Sequence, residues 1–453
     1  MLDELRAELG AVLVTDPAAL DALRADKSGR ISASAPLALV EAREIAHVQA
    51  AVRWASRHGI PVVPRGAGTG LAGGAIGQEG ELVVSTARMT RVLEISVEDE
   101  LAVVEAGVIN ADLTAALAPH GLWYAPDPAS RAISTIGGNI ATNAGGLMCV
   151  KYGVTREAVL GLKLVLADGR VLDLGRRTVK GVTGYDLTAL VIGSEGTLGV
   201  VVEATLRLRP LARGEVVTVS AAFPDVEAAA RASAAITASG VRPAALELLD
   251  ASALEAIGEL LDLDLAGRGA QLLVQTDGPA AGDEADAVLA VVRAHGGSAE
   301  RAADAAEGER LFAIRRAFHP AMERRGAVLI EDVAVPRSAL PAMFAAIGEI
   351  ERRHGIRIPT VAHAGDGNLH PNFVVEPDAM GGHLEVPERV WAAADELFRE
   401  CLRLGGTLTG EHGVGVLKRR WLRQELGDDS FELQRRIKAV FDPAGIMNPG
   451  KVF

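Results

Sequence analysis

An α+β fold in at least two domains is predicted by three features of the sequence. The chain has 453 residues, more than the roughly 250–300 at which a single hydrophobic core stops growing. From Pro36 to about Pro210, short apolar runs of strand length alternate with glycine clusters. After Pro210 the pattern changes to alanine-rich helical stretches alternating with strands, the mark of an α+β domain. Hydrophobic residues make up 49% and charged residues 23%, so sizeable cores can form and a disordered chain is excluded.

The elements follow in order. Leu2, Leu5, Leu9, Leu13 and Leu20 recur at helical spacing up to Ser28-Gly29, so residues 1–35 read as an N-terminal helical segment. Residues 36–211 form the glycine-rich domain, with strands expected at Ile60–Val63, Glu81–Ser85, Leu101–Glu105, Leu160–Leu166 and Val200–Leu208. Residues 212–408 form the second domain, with helices at Val226–Ser239, Gly282–His295 and Pro341–His354 and strands at Val216–Ala221 and Gln271–Thr276. Residues 409–453 are a C-terminal segment whose helix, Phe431–Phe441, is stopped by Asp442-Pro443.

Composition narrows the function. Asp and Glu number 59 against 46 Lys and Arg, a formal charge of −13 that repels a phosphate backbone, so nucleic acid is not expected as a partner. Cys149 and Cys401 are the only cysteines, too few for a disulfide scaffold and too far apart in sequence for an iron–sulfur or zinc-finger pattern. The acidic start lacks the basic, apolar character of a signal peptide, and no uncharged run reaches the ~20 residues that cross a bilayer. A cytoplasmic protein is expected, with any membrane association peripheral, at the inner face.

Three loops carry the first half's chemistry. Pro64-Arg65-Gly66-Ala67-Gly68-Thr69-Gly70 continues through Gly73-Gly74 and follows a strand. Its glycines let backbone N–H groups approach a pyrophosphate. Gly68, Gly70 and Gly73 fit a dinucleotide fingerprint, but another strand follows instead of the required helix, so a Rossmann fold is rejected. The second cluster runs from Pro126-Asp-Pro128 through Ser134-Thr135-Ile-Gly137-Gly138-Asn139 to Thr142-Asn143-Ala-Gly145-Gly146. Hydroxyls and amides on a glycine frame suit a planar polar ligand. The third, Gly193-Ser-Glu195-Gly-Thr-Leu-Gly199, leads into Val200-Val201. Each loop alone could be a set of tight turns; three together point to a ligand.

In the second half, His363-Ala-Gly-Asp-Gly-Asn-Leu-His370 and Gly410-Glu411-His412-Gly413 gather three of the ten histidines. The Gly365–Asn368 stretch is a turn that lets His363 and His370 converge. With Glu411 they would make an open three-ligand site suited to zinc or manganese. Read singly, they could instead be hydrogen-bonded loop histidines and a surface carboxylate. Arg315-Arg316, on an expected helix, supplies cations for a carboxylate ligand.

The strings PRGAGTGLAGG, STIGGNIATNAGG and GSEGTLGVV resemble the FAD-binding domain of the vanillyl-alcohol oxidase type. Within that superfamily the chain is similar over nearly its whole length to the branch of glycolate oxidase D subunits, D-lactate dehydrogenases and D-2-hydroxyglutarate dehydrogenases. The resemblance implies a two-subdomain FAD-binding domain, a ferredoxin-like α+β substrate or cap domain, and a C-terminal segment returning to the flavin domain through Asn448-Pro-Gly-Lys451. It implies that Pro64–Gly73 holds pyrophosphate, that the Gly137–Gly146 region lines flavin and ribose, that Glu195–Val201 contacts the adenosine side, and that Pro128, Ser134 and Thr135 also bind the cofactor. FAD is expected to be non-covalent, because Gly70 stands where covalent relatives often have histidine. By the same resemblance His363, His370 and Glu411 hold a metal, His412 is the base, and Arg315 and Asn372 contact substrate. Where the D-2-hydroxyglutarate branch has a threonine and a lysine for a second carboxylate, this chain has His319 and Ile330, which favours a monocarboxylate.

The expected activity is oxidation of a small D-2-hydroxy acid, D-lactate or glycolate first and D-2-hydroxyglutarate second. The electrons would pass to a quinone, an electron-transfer flavoprotein or an iron–sulfur subunit. A homodimer is compatible with this reading. The competing classes are a metal-dependent hydrolase with merely structural glycine loops and a non-catalytic flavoprotein subunit.

Overall fold

Ala38–Glu41, Val62–Arg65 and Leu82–Ser85 are short, mostly buried strands that pair in parallel, the last lying between the other two, as apolar runs covered on both faces do. Helix Ile45–His58 connects the first two, burying Val48, Ala51, Val52 and Ala55 on one stripe and ending at Gly59, whose φ of 64° forms the left-handed cap. The computed structural model describes residues 2–211, 213–265, 267–375 and 386–453. The chain divides into two units: Met1–Gly145, Gly153–Leu211 and Glu411–Phe453 in one, and Gly146–Tyr152 and Ala212–Gly410 in the other.

The first unit adds a five-stranded antiparallel sheet in the order Val92–Ser96, Leu101–Glu105, Val200–Arg207, Val159–Val165, Val171–Gly175. Two cores hold the unit together. One packs Trp54, Val62, Val84 and Val202 with Ile446 and Met447; the other packs Leu113, Tyr124, Ile136, Ile140, Leu164 and Leu206. Each such side chain contributes about 1.5–3 kcal/mol by leaving water.

The start of the chain differs from expectation. Its helix covers only Leu2–Leu9, and Leu13–Val14 is a strand paired antiparallel with Leu39 and Val40. Gly10, at a φ of 56°, breaks the helix. A second short helix starts at Pro17, capped by Asp16. Leu5, Leu9 and Leu13 face the core around Trp54, while Leu20 faces the other side of the parallel sheet's strands, with Leu39, Val63 and Val83, so the leucine spacing spans elements with different packing partners.

The second unit contains the split βαβ arrangement of a ferredoxin-like domain. Its strands run Ser298–Arg301, Glu215–Phe223, Ala270–Gly278, Ala245–Asp250, all antiparallel, with crossover helices Val226–Ala238 and Ala281–Ala294. Asp225, Asp250 and Asp304 cap helices by accepting the amides of Ala228, Ala253 and Glu307 at 2.7–2.8 Å. Thr360–His363, Asn368–Val375 and Ala327–Ile330 extend the sheet. Helices Ala251–Leu261, Ala305–Arg316 and Phe318–Arg325 share a core with the sheet face that carries Ala245, Leu249, Leu273 and Val361. Among the described residues no helix is long and apolar enough to cross a membrane.

Candidate functional site

In the first unit the three glycine loops and the C-terminal segment are tied to one another. A Cβ on Gly66 would overlap the Thr135 hydroxyl, so the first two loops approach as only glycine allows; one on Gly137 would come 2.7 Å from Ala106 Cβ, just past the strand Leu101–Glu105. Thr135 starts the helix Ile136–Thr142, accepting the Gly138 amide at 3.2 Å. The third loop donates from Gly193 and Glu195 to the carbonyls of Ile140 and Ala141 at 2.9 and 2.8 Å. Gly196 lies against Pro64, where a Cβ would be 3.0 Å from the ring. Asn448 Nδ2 donates to the carbonyls of Gly74 and Glu195 at 3.0 and 2.8 Å.

These loops fit a flavin cofactor. Ser134 Oγ, Asn139 Nδ2 and Asn448 Oδ1 are buried with no hydrogen-bond partner among the described residues, and buried polar groups of that kind need a partner from a ligand or water. A Cβ on Gly70 would meet nothing within 4 Å. Arg65 acts within the protein: it donates to the carbonyls of Ala25 and Ala75 at 3.0 and 2.5 Å and braces the loop. Asn143, at a φ of 51°, ends its helix and accepts the Arg156 amide at 2.9 Å. Val201 is a ladder residue opposite Leu164, and Gly199 keeps that strand start clear of the Val165 carbonyl, which a Cβ would approach to 2.7 Å.

Glu411 and His412 belong to this same unit. A Cβ on Gly145 would lie 3.3 Å from Glu411 Cβ and 2.5 Å from its Oε2, so the end of the second loop makes room for that carboxylate. The turn after His412 has positive φ at Gly413 and Gly415, 87° and 48°. Glu195 holds it, accepting the amides of Val414 and Gly415 at 2.7 and 2.8 Å. Burial pushes the Glu195 carboxyl up to about 7, although those two amides and Lys418 pull it down.

In the second unit, His363 and His370 lie on the two arms of a hairpin. Asp366 and Gly367 donate to the His363 carbonyl at 3.0 and 3.1 Å, with Gly367 at a φ of 80°. The rings meet edge to face, centroids 5.0 Å apart. Each imidazole presents Nδ1 to a fully buried carboxylate: His363 to Glu247 Oε1 at 2.7 Å, and His370 toward Asp332 Oδ1 at 3.8 Å. Asp332 also accepts from Asn368 Nδ2, Thr409 Oγ1 and the Gly410 amide at 2.6, 2.5 and 2.9 Å. Glu247 also binds Arg315, whose Nε and Nη2 both reach Oε2 at 2.9 Å. At His363 the carboxylate bonded to Nδ1 leaves Nε2 for a metal, the usual arrangement of ligand histidines; at His370 the carboxylate lies on the Nδ1 side beyond hydrogen-bond distance.

Arg315, His363, His370 and Asn372 are therefore buried in the second unit, Asn372 two residues along the strand from His370 and donating to its carbonyl at 2.8 Å. His319 is not joined to them. Its side chain is half exposed and turned to Glu323 one helical turn on, at 3.3 Å. Sequence reasoning missed Glu247 and Asp332. The available signal was a lone acid inside an apolar strand, as in Ala245-Leu-Glu-Leu-Leu249, since a buried charge must be paired.

The family description "FAD binding domain" matches residues 36–175, and "FAD linked oxidases, C-terminal domain" matches residues 213–452. The glycolate oxidase subunit GlcD of Bacillus subtilis (strain 168) is 41% identical, over 93% of this chain and 89% of its own length. A D-lactate dehydrogenase of Archaeoglobus fulgidus is 36% identical over 89% and 88%. A D-2-hydroxyglutarate dehydrogenase of Stutzerimonas stutzeri is 34% identical over 100% and 98%. The solved structure of p-cresol methylhydroxylase with substrate bound shares the fold, with a TM-score of 0.79 at 18% identity, over 100% of this chain and 96% of that one.

Proposed function

Because this chain belongs to the FAD-linked oxidases, we propose that it oxidises a small D-2-hydroxy acid to the 2-oxo acid and passes the electrons to a non-nicotinamide acceptor. Relatives named for glycolate, D-lactate and D-2-hydroxyglutarate support the substrate class. FAD, which the glycine loops of the first unit would hold, would supply the two-electron acceptor for the hydride that leaves the α-carbon. A divalent ion, zinc or manganese, would supply Lewis acidity to a hydroxyl beside it. His363, His370 and Glu411 are the proposed ligands. Glu411 is joined by one peptide bond to Gly410, whose amide is held by Asp332.

The other roles fall to the chain's own groups. Arg315 receives the substrate carboxylate through a guanidinium pair of bonds, and Asn372 offers an amide on the same strand as His370. His412 accepts the α-hydroxyl proton, which an imidazole with an intrinsic pKa near ~6.5 can do at neutral pH. D-Lactate or glycolate is favoured over D-2-hydroxyglutarate, because Ile330, the ladder partner of Asn372, has no cation for a second carboxylate.

The observation that carries this reading is the buried Glu247, which bonds the Nδ1 of His363 through one oxygen and Arg315 through the other. Anaerobic stopped-flow mixing with a panel of D-2-hydroxy acids tests it: at least one monocarboxylate bleaches the flavin, faster than D-2-hydroxyglutarate does. A yellow protein that no member of the panel bleaches would sink the proposal. A colourless one would favour a hydrolase.

A further inference from the structure

We propose that Glu247 is a positioning residue that sets two groups at once, the metal-facing imidazole of His363 through one carboxylate oxygen and the carboxylate-binding guanidinium of Arg315 through the other. This rests on the functional reading above for the roles of those two groups. The geometry comes from the second unit alone.

Glu247 lies in the strand Ala245–Asp250, between Ala270–Gly278 and Thr360–His363, with His363 directly opposite it in the ladder. The side chain is wholly buried. An ionised carboxylate there is too costly unless cations and donors surround it, and its two oxygens have separate partners. Oε1 takes His363 Nδ1 at 2.7 Å; Oε2 takes Arg315 Nε and Nη2, each at 2.9 Å.

The consequences differ at the two ends. At His363, a donated Nδ1–H fixes the tautomer with Nε2 as the ligand atom. At Arg315, Nε donates to Glu247 and Nη2 lies 2.9 Å from the same oxygen, so among the described residues the Nη1 side of the fork is left to grip an anion. Since both contacts are made to one rigid carboxylate, displacing that carboxylate displaces the anchor of both partners at once. The spacing between the metal-facing nitrogen and the anion-facing guanidinium is thereby tied to one side chain, as a ligand with neighbouring hydroxyl and carboxylate groups requires. A glutamine keeps the shape but has one acceptor oxygen, so its NH₂ must face either Arg315 or His363, donor against donor.

The test uses the flavin-loaded, metal-stripped full chain and two probes that need no turnover: zinc, by chelator competition, and oxalate, by calorimetry before zinc is restored. For Glu247→Gln, both dissociation constants are expected to rise at least about 10-fold while flavin content stays at the wild-type level. Arg315→Lys should weaken oxalate alone. If E247Q does not fold, Glu247→Asp, which keeps the charge but withdraws it by one methylene, is expected to weaken both probes as well. Loss of only one affinity, or of neither, overturns the proposal, as does a wild type that binds neither probe. Failure of every D-2-hydroxy acid to bleach the wild-type flavin would count against the functional reading alone, and the two affinities would still decide the role of Glu247.

Discussion

Gly145 leaves open the space that the Glu411 carboxylate occupies: a Cβ on residue 145 would sit 2.5 Å from Glu411 Oε2 and 3.3 Å from Glu411 Cβ. A loop that the sequence assigns to flavin thus bounds a residue that the sequence assigns to metal. Gly145→Ala is predicted to displace Glu411, lowering metal affinity about 10-fold or more while bound flavin stays near stoichiometric. Metal and flavin content measured on one sample check this, and loss of flavin with unchanged metal affinity would contradict it.

Metal removal should separate the cofactors. Chelator-treated protein is expected to stay yellow, since the glycine loops need no ion, but to lose most hydroxy-acid-driven flavin reduction. Zinc or manganese should restore it. Undiminished bleaching rates in metal-free protein would count against the ligand set.

Arg315→Lys keeps a cation beside Glu247 but loses the planar fork. The expected result is a KM for the hydroxy acid about 10-fold higher or more, with a smaller change in kcat. Arg315→Ala leaves the buried Glu247 carboxylate without its cation, a cost of about 3–5 kcal/mol, and thermal unfolding should show it.

Glu195 makes stability depend on pH. Its carboxyl is raised to about 7 by burial, so the folded protein binds this proton more tightly than the unfolded chain does. The stabilising contribution is complete below about 4.5, the ordinary carboxyl value, and is lost as pH rises through about 7. The wild type should therefore gain on Glu195→Gln as pH falls from 8 toward 5, by an amount on the order of 3 kcal/mol at most. Unfolding midpoints of both proteins across that range measure it, and a difference that grows with rising pH would refute the assignment.

Much of this was legible in the residues because the signals are local. The glycine loops declare themselves within a dozen positions, and the turn between His363 and His370 is written in Gly365-Asp-Gly-Asn368. What could not be read is pairing across long separations. Glu247 meets His363 116 residues on and Arg315 68 residues on, and nothing in either neighbourhood names the other. Gly146–Tyr152 shows the same limit: it joins the second unit, where Lys151 and Tyr152 bind Asp277, although its flanking residues belong to the first. The leucines at the start misled because periodicity reports burial and not continuity: Leu5, Leu9 and Leu13 enter one core and Leu20 another, from a helix, a strand and a second helix.

Asn448 binds Gly74 and Glu195, while Ile446 and Met447 complete the core around Trp54 and Val62. On the ribosome, the segment that will cradle the cofactor emerges early and then waits, unfinished, while the stretch Ala212–Gly410 of another unit is made. Holoenzyme formation is therefore an event of late synthesis, and a prematurely terminated chain would carry every glycine of its binding loops yet lack the closure that lets them retain a flavin.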